Sequence, residues 1–339
     1  MGTAIGSAVL AVAALLAVQG CAPATPADAV TPAGHSVSFA TARAVYGSYL
    51  KASDEAAVQG DATTALSIVT SAQWAQVKAQ YLALASTGRP VPRYRYGAPV
   101  FYVPALSTYP QWFVVAVPRQ TDTGGRPGGG WGAPVSTLML FARAKKTVPW
   151  TLSGTAVLSQ PLPAIARGSD GYAIDETTTD PSLLLRPDVV GATQAAVVDD
   201  GPASPAAAVV AGGPQTTGFY AAQSALAAAQ KARGLQYQWL LQGAAFPQVG
   251  LRLADGGALV LYGLYLDTTT EHPNLVAGRP VPVPGNVSPL FTAPAEVGYH
   301  ALWANWTYQF AAIDPPATTH NAKLQIIASL GAPTYGHAS

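Results

Sequence analysis

Helical periodicity followed by a series of β-forming runs occurs twice along this chain, and that order limits the fold more than any other feature. In the first half Ala42, Val45, Tyr46, Tyr49 and Leu50 fall at i, i+3, i+4, i+7 and i+8. They form one face of a helix that begins near Ser38 or Thr41. A break at Gly60-Asp61 precedes a short helix over 63–69, and Trp74, Val77, Tyr81 and Leu84 mark a further helix that Gly88 and Pro90 end. In the second half Thr217 caps a helix carrying Phe219, Ala222, Leu226 and Ala229, stopped near Gly234.

Strands follow each helical opening. Residues 96–106, 112–117, 137–144 and 150–158 are rich in β-formers and bounded by Pro or Gly. The second series covers 237–242, 249–254, 258–266, 297–313 and 323–330. Asp255-Gly256-Gly257 sits between two of these runs and supplies the positive φ that a tight hairpin needs. The expected fold class is therefore α+β: two tandem units of N-terminal helices, each packed on a curved antiparallel sheet. The first unit covers 36–165 and the second 217–335. Residues 166–216 join them, with the Ala/Val/Pro/Gly-rich stretch 192–213 read as the linker. Short matches suggest a duplication. Tyr109-Pro110-Gln111 parallels Phe246-Pro247-Gln248, and Pro149-Trp150-Thr151 parallels Asn305-Trp306-Thr307. If the halves are copies, these segments lie at equivalent strand starts.

The N-terminus speaks about location. Residues 8–18 form an apolar run, too short to cross ~30 Å of hydrocarbon as a helix, and Val18-Gln19-Gly20-Cys21 follows. An Ala/Pro/Thr-rich tether then runs over 22–34. This arrangement resembles a bacterial lipoprotein signal, with 1–20 removed and Cys21 taking a diacylglyceryl group on its thiolate. Two acyl chains hold a protein where one gives marginal binding. Gln19 departs from the usual small residue, and the first seven residues carry no Lys or Arg. Cys21 is the one cysteine among 339 residues. An internal disulfide and a cysteine-rich zinc site are thus excluded. The expected location is the extracytoplasmic face of the cell membrane, with the lipid anchor as one partner.

Chemistry is sparse. Lys+Arg 18 against Asp+Glu 17, with no basic run, argues against a nucleic-acid partner. No phosphate loop, dinucleotide fingerprint, nucleophile elbow or paired-histidine zinc motif is present. No cofactor or metal is expected. Ser48 and Lys51 match the Ser-x-x-Lys of penicillin-binding enzymes, but the companion motifs are broken and out of order, so both residues read as the polar side of the first helix. Of five scattered histidines, His300 is the acid/base candidate, with Asp170, Asp175, Glu176, Glu296 and Asp314 the available carboxylates. Aromatic residues crowd 94–113 beside Arg89, Arg93 and Arg95. Trp303 and Trp306 form a smaller group whose spacing puts them on opposite strand faces. Tyr94, Tyr96, Tyr102, Trp112, Trp303 and Trp306 make up the expected binding surface, suited to a glycan or protein of the envelope.

Several segments carry a family resemblance. They are Phe101-Tyr102-Val103-Pro104 with Tyr109-Pro110-Gln111-Trp112-Phe113, Leu162-Pro163-Ala164-Ile165 with Asp170-Gly171-Tyr172-Ala173, and Ala254-Asp255-Gly256-Gly257-Ala258-Leu259-Val260 with Gln309-Phe310-Ala311-Ala312. Their order resembles an actinobacterial cell-envelope lipoprotein family of unknown function, and the helix-then-sheet units resemble the NTF2-like (cystatin-like) cone. The resemblance spans most of 40–335 and implies the architecture without an activity. The expected function is that of a non-catalytic, membrane-anchored lipoprotein binding a protein or envelope component. The alternatives are an NTF2-like hydrolase or isomerase with a pocket around His300, which such cones often line with His and Asp, and a structural envelope protein with no small ligand.

Overall fold

Ser38 opens the first helix as its side chain accepts the Thr41 N–H at 3.0 Å. A computed structural model of the protein describes residues 36–122, 130–273, 280–291 and 300–338. Helix α1 (Phe39–Gln59) ends at Gly60, whose φ of 68° is the left-handed conformation that glycine adopts without strain. Asp61 then caps α2 (Ala62–Ser67), and α3 (Ser71–Thr87) stops at Gly88 in the same left-handed way. Strands β1 (Tyr94–Tyr96) and β2 (Val100–Tyr102) lie end to end along β3 (Gln111–Thr121), both antiparallel to it. The chain continues through β4 (Val135–Arg143) and β5 (Thr151–Leu158) as an antiparallel meander.

The two-residue β6 (Asp175–Glu176) comes next, then helices α4 (Val190–Asp200) and α5 (Thr217–Ala232). After them the same pairing scheme returns. Strands β7 (Gln236–Gly243) and β8 (Val249–Arg252) lie end to end along β9 (Ala258–Glu271). A meander through β10 (Ala301–Asp314) and β11 (Gln325–Ala338) follows. The last strand of each scheme meets the other: Val157 pairs with Ser329 and Leu158 with Ala328, antiparallel. All eleven strands among the described residues thus belong to one sheet.

Three sequence-based expectations change here. Residues 166–216 are not a linker, because β6 pairs with β8 and α4 buries Val190, Val197 and Val198. The small apolar residues of 192–213 are there to pack a helix, and the described residues fall in one compact unit. The matched tripeptides are not equivalent. Tyr109-Pro110-Gln111 leads into β3, whereas Phe246-Pro247-Gln248 leads into β8, the counterpart of β2. Likewise Trp150 precedes β5 and Trp306 lies inside β10. The motif matches therefore do not carry a duplication, and one sheet runs through both halves; what recurs is the order in which the strands pair. Lastly, α3 buries Val77 and Tyr81 as its period predicts but not Trp74, which is exposed with Lys78 over its ring, and it buries Gln73 and Gln76 as well.

Alternation along β3 explains the layers. Phe113, Val115 and Val117 face α1 and α3 and pack on Tyr46, Val77 and Tyr81. Trp112 and Val114 face the other way, into a core shared with Leu251, Leu259, Leu261 and Ile327 of the second half. Both faces are covered, so the strand reads as a nearly unbroken apolar run. In the second half α4 and α5 cover Val260, Tyr262, Leu264 and Phe310.

Candidate functional site

Continuing the inward row of β3 by two residues gives Phe113, Val115, Val117 and then Arg119. A charged residue therefore takes a position whose predecessors are all core. Arg119 lines a cavity of about 260 Å³ between α1, α3, β1 and β3. Its relative exposure is 9% and its Nε has no hydrogen-bond partner. No carboxylate forms an ion pair with it among the described residues. Its neighbours are rings instead. The guanidinium lies 4.4 Å from the centre of the Tyr94 ring. Tyr96, two residues on along β1, faces the same cavity, while Arg95 between them points outward over Trp131.

The other walls are built by the helices. Tyr49, Ser53 and Asp54 come from α1, and Gln73, Gln76 and Tyr81 from α3. Asp54 is engaged by Arg93 through two bonds of 2.9 and 3.0 Å, so that pair is neutral and leaves Arg119 uncompensated. Burial pushes the Tyr49 and Tyr96 hydroxyls well up, opposed by the nearby charge of Arg119. Burial alone raises the Tyr46 hydroxyl to about 12, and that oxygen has no partner. At the floor Gln76 donates to the Thr307 carbonyl at 2.9 Å and accepts from Gln309 at 2.9 Å. The equivalent face of the second half is filled by stacked rings. Tyr262 and Tyr308 each lie 5.7 Å from Phe310, and the Tyr262 hydroxyl donates to Gln194 at 2.6 Å.

Of the six aromatic residues read as a binding surface, only Tyr94 and Tyr96 come together, 6.3 Å apart. Tyr102 lies under Arg167 with the guanidinium 5.2 Å from its ring. Trp112 is buried between the half-sheets and cannot meet a partner. Trp303 is 37% exposed and stacks on His337 at 5.6 Å, whereas Trp306 packs toward the second-half core. As their spacing requires, the two tryptophans are on opposite faces.

His300 does not gather the carboxylates suggested for it. It is half-buried, its carbonyl accepts the His272 N–H at 3.2 Å, and its Nδ1 has no partner. No carboxylate pairs with it among the described residues, and Glu296 lies outside them. Glu176 instead joins Asp180 around Arg252, which bonds Asp180 at 2.6 Å. Burial raises Glu176 to about 6 and Asp314 to about 7. Ser48 is exposed on α1, and Lys51 reaches Glu55 at 3.9 Å. No group of three or more metal-ligating side chains occurs among the described residues. Cys21 lies outside the described residues.

The geometry defines an α+β chain with one antiparallel sheet, a cavity under the helices of the first half and stacked rings under those of the second. The family model for "Domain of unknown function (DUF8094)" matches residues 33–332, and the chain belongs to that family. It is similar to an "Uncharacterized lipoprotein" of Streptomyces avermitilis, 28% identical over 166 residues. That match covers 48% of this chain and 44% of the relative, so the chain spans less than half of the relative's length. No solved structure matches. No helix among the described residues is long and apolar enough to cross a membrane.

Proposed function

We propose that the protein is an extracytoplasmic lipoprotein, held to the membrane by an acylated Cys21, that binds an envelope component without transforming it. The cavity beneath α1 and α3 carries the binding reading, because a buried cation and several rings converge there and no carboxylate among the described residues pairs with that cation. Pockets that combine apolar walls with a few placed polar groups are the usual form of a ligand site. The similarity to a lipoprotein supports the anchoring, as does the placement of the chain's one cysteine shortly after an apolar run, behind Gln19-Gly20. The recurring order of strand pairing supports a reading of the two halves as NTF2-like units, with a cavity under the helices of the first and stacked rings under those of the second.

The anchoring is tested by Cys21→Ser. A hydroxyl does not replace the thiolate as acyl acceptor, so the variant should lose incorporation of labelled palmitate and leave the membrane fraction. A serine variant that remains membrane-bound through a high-salt wash would show that another element holds the protein.

A further inference from the structure

The geometry points to a small organic carboxylate with an aromatic or branched apolar body as the ligand of the first-half cavity, with Arg119 as its anchor. This rests on the reading of the cavity as the binding site and adds the chemistry that the site selects. Arg119 is nine-tenths buried, its Nε is unpartnered, and it lines the cavity. A buried charge without a counter-charge is costly, so folding tolerates it where a ligand completes the site. The remaining charges fix how many negative groups the ligand brings. Asp54 and Arg93 neutralise each other, which leaves one positive charge and selects a monoanion.

The type of anion follows from the donor. A guanidinium presents paired N–H groups in one plane, and these match the two oxygens of a carboxylate. The body of the ligand follows from the walls. Tyr94 already lies over the guanidinium, and Tyr49, Tyr81 and Tyr96 surround the remaining space with Val77. Ring faces and branched side chains favour a flat or branched apolar body over a long polar one. A volume of about 260 Å³ admits a small molecule and excludes a folded partner or an extended glycan chain.

The test uses the full-length acylated protein in phosphatidylcholine nanodiscs, titrated with 2-naphthoate and with the neutral 2-naphthamide. Wild type should bind the acid at least tenfold more tightly than the amide. Arg119→Leu and Arg119→Gln should lose that preference while still binding the amide, and both should melt no lower than wild type because an unpaired buried charge is gone. Ala57→Trp, which fills the cavity from α1, should bind neither probe. Equal affinity of wild type for both probes, tighter binding of the amide, or a preference that survives in both Arg119 variants overturns the carboxylate assignment and leaves the cavity as the binding site. Binding of neither probe by wild type, or undiminished binding by Ala57→Trp, overturns both.

Discussion

Gln309→Leu is expected to lower the unfolding free energy by about 2–6 kcal/mol, because it leaves two buried polar groups without partners at about 1–3 kcal/mol each. The two halves of the sheet share only the pairs at Val157 and Leu158. Before that point β5 is held to the second half by a side chain. Gln309 reaches from β10 to accept the Thr155 N–H, and its amide nitrogen donates to Gln76 at 2.9 Å and Gln73 at 3.4 Å. All three glutamines are buried. Leucine keeps the volume but strands the Thr155 N–H and the Gln76 oxygen. Gly154 gives this contact its room, since a Cβ there would stand 2.8 Å from the Gln309 oxygen. Urea denaturation of the variant should show a lower midpoint. A midpoint equal to that of wild type would mean the junction does not depend on the glutamine network.

Asp314→Asn is expected to stabilise the protein at pH 8 and to change little at pH 4. Asp314 is fully buried at the end of β10. One oxygen accepts the Leu185 N–H at 3.2 Å and the other has no partner. Burial, reinforced by Glu176 and opposed by the Leu185 bond, raises its carboxyl to about 7 from an ordinary 3.8. In the unfolded chain the proton leaves near the ordinary value, while the folded protein keeps it until about pH 7. The folded state thus binds more protons between those limits, and stability falls as pH rises through them. At ~1.4 kcal/mol per pH unit the loss is on the order of 4 kcal/mol by pH 8. Asparagine keeps the acceptor for Leu185 and removes the charge. Melting curves from pH 4 to 8 should fall less steeply for the variant than for wild type. Parallel curves would show that Asp314 titrates normally in the folded protein.

Local features were legible wherever a few neighbouring residues decide the structure. Ser38, Asp61, Gly60 and Gly88 bound their helices through hydrogen bonds and a backbone conformation set within one turn. The apolar face of α1 follows its own period. Helix α3 was half legible, because its buried face mixes Val77 and Tyr81 with two glutamines. Gln73 and Gln76 are paid for by Gln309, more than 230 residues away, and no local pattern reveals such a partner. Helix α4 looked like a tether because a helix covered on most sides lacks a polar stripe.

The site was half legible. Tyr94 and Tyr96 stood out as aromatic residues beside arginines, but the cluster from 94 to 113 was read as one surface. Consecutive Trp112 and Phe113 point to opposite faces of β3, so the strand divides the cluster between two cores. Arg119 was missed although its signal was present: counting by twos from Phe113 reaches it on the inward face. What could not be read was that Asp54 would pair with Arg93, leaving Arg119 alone.

The first-half cavity is proposed to hold an envelope molecule, and native mass spectrometry of the protein released gently from its own membranes tests this most directly. Wild type should carry a noncovalent adduct of small-molecule mass beyond its acyl groups, and Ala57→Trp purified in parallel should lack it. Wild-type protein that shows only its acylated mass, or an adduct that persists when the cavity is filled, would contradict the account.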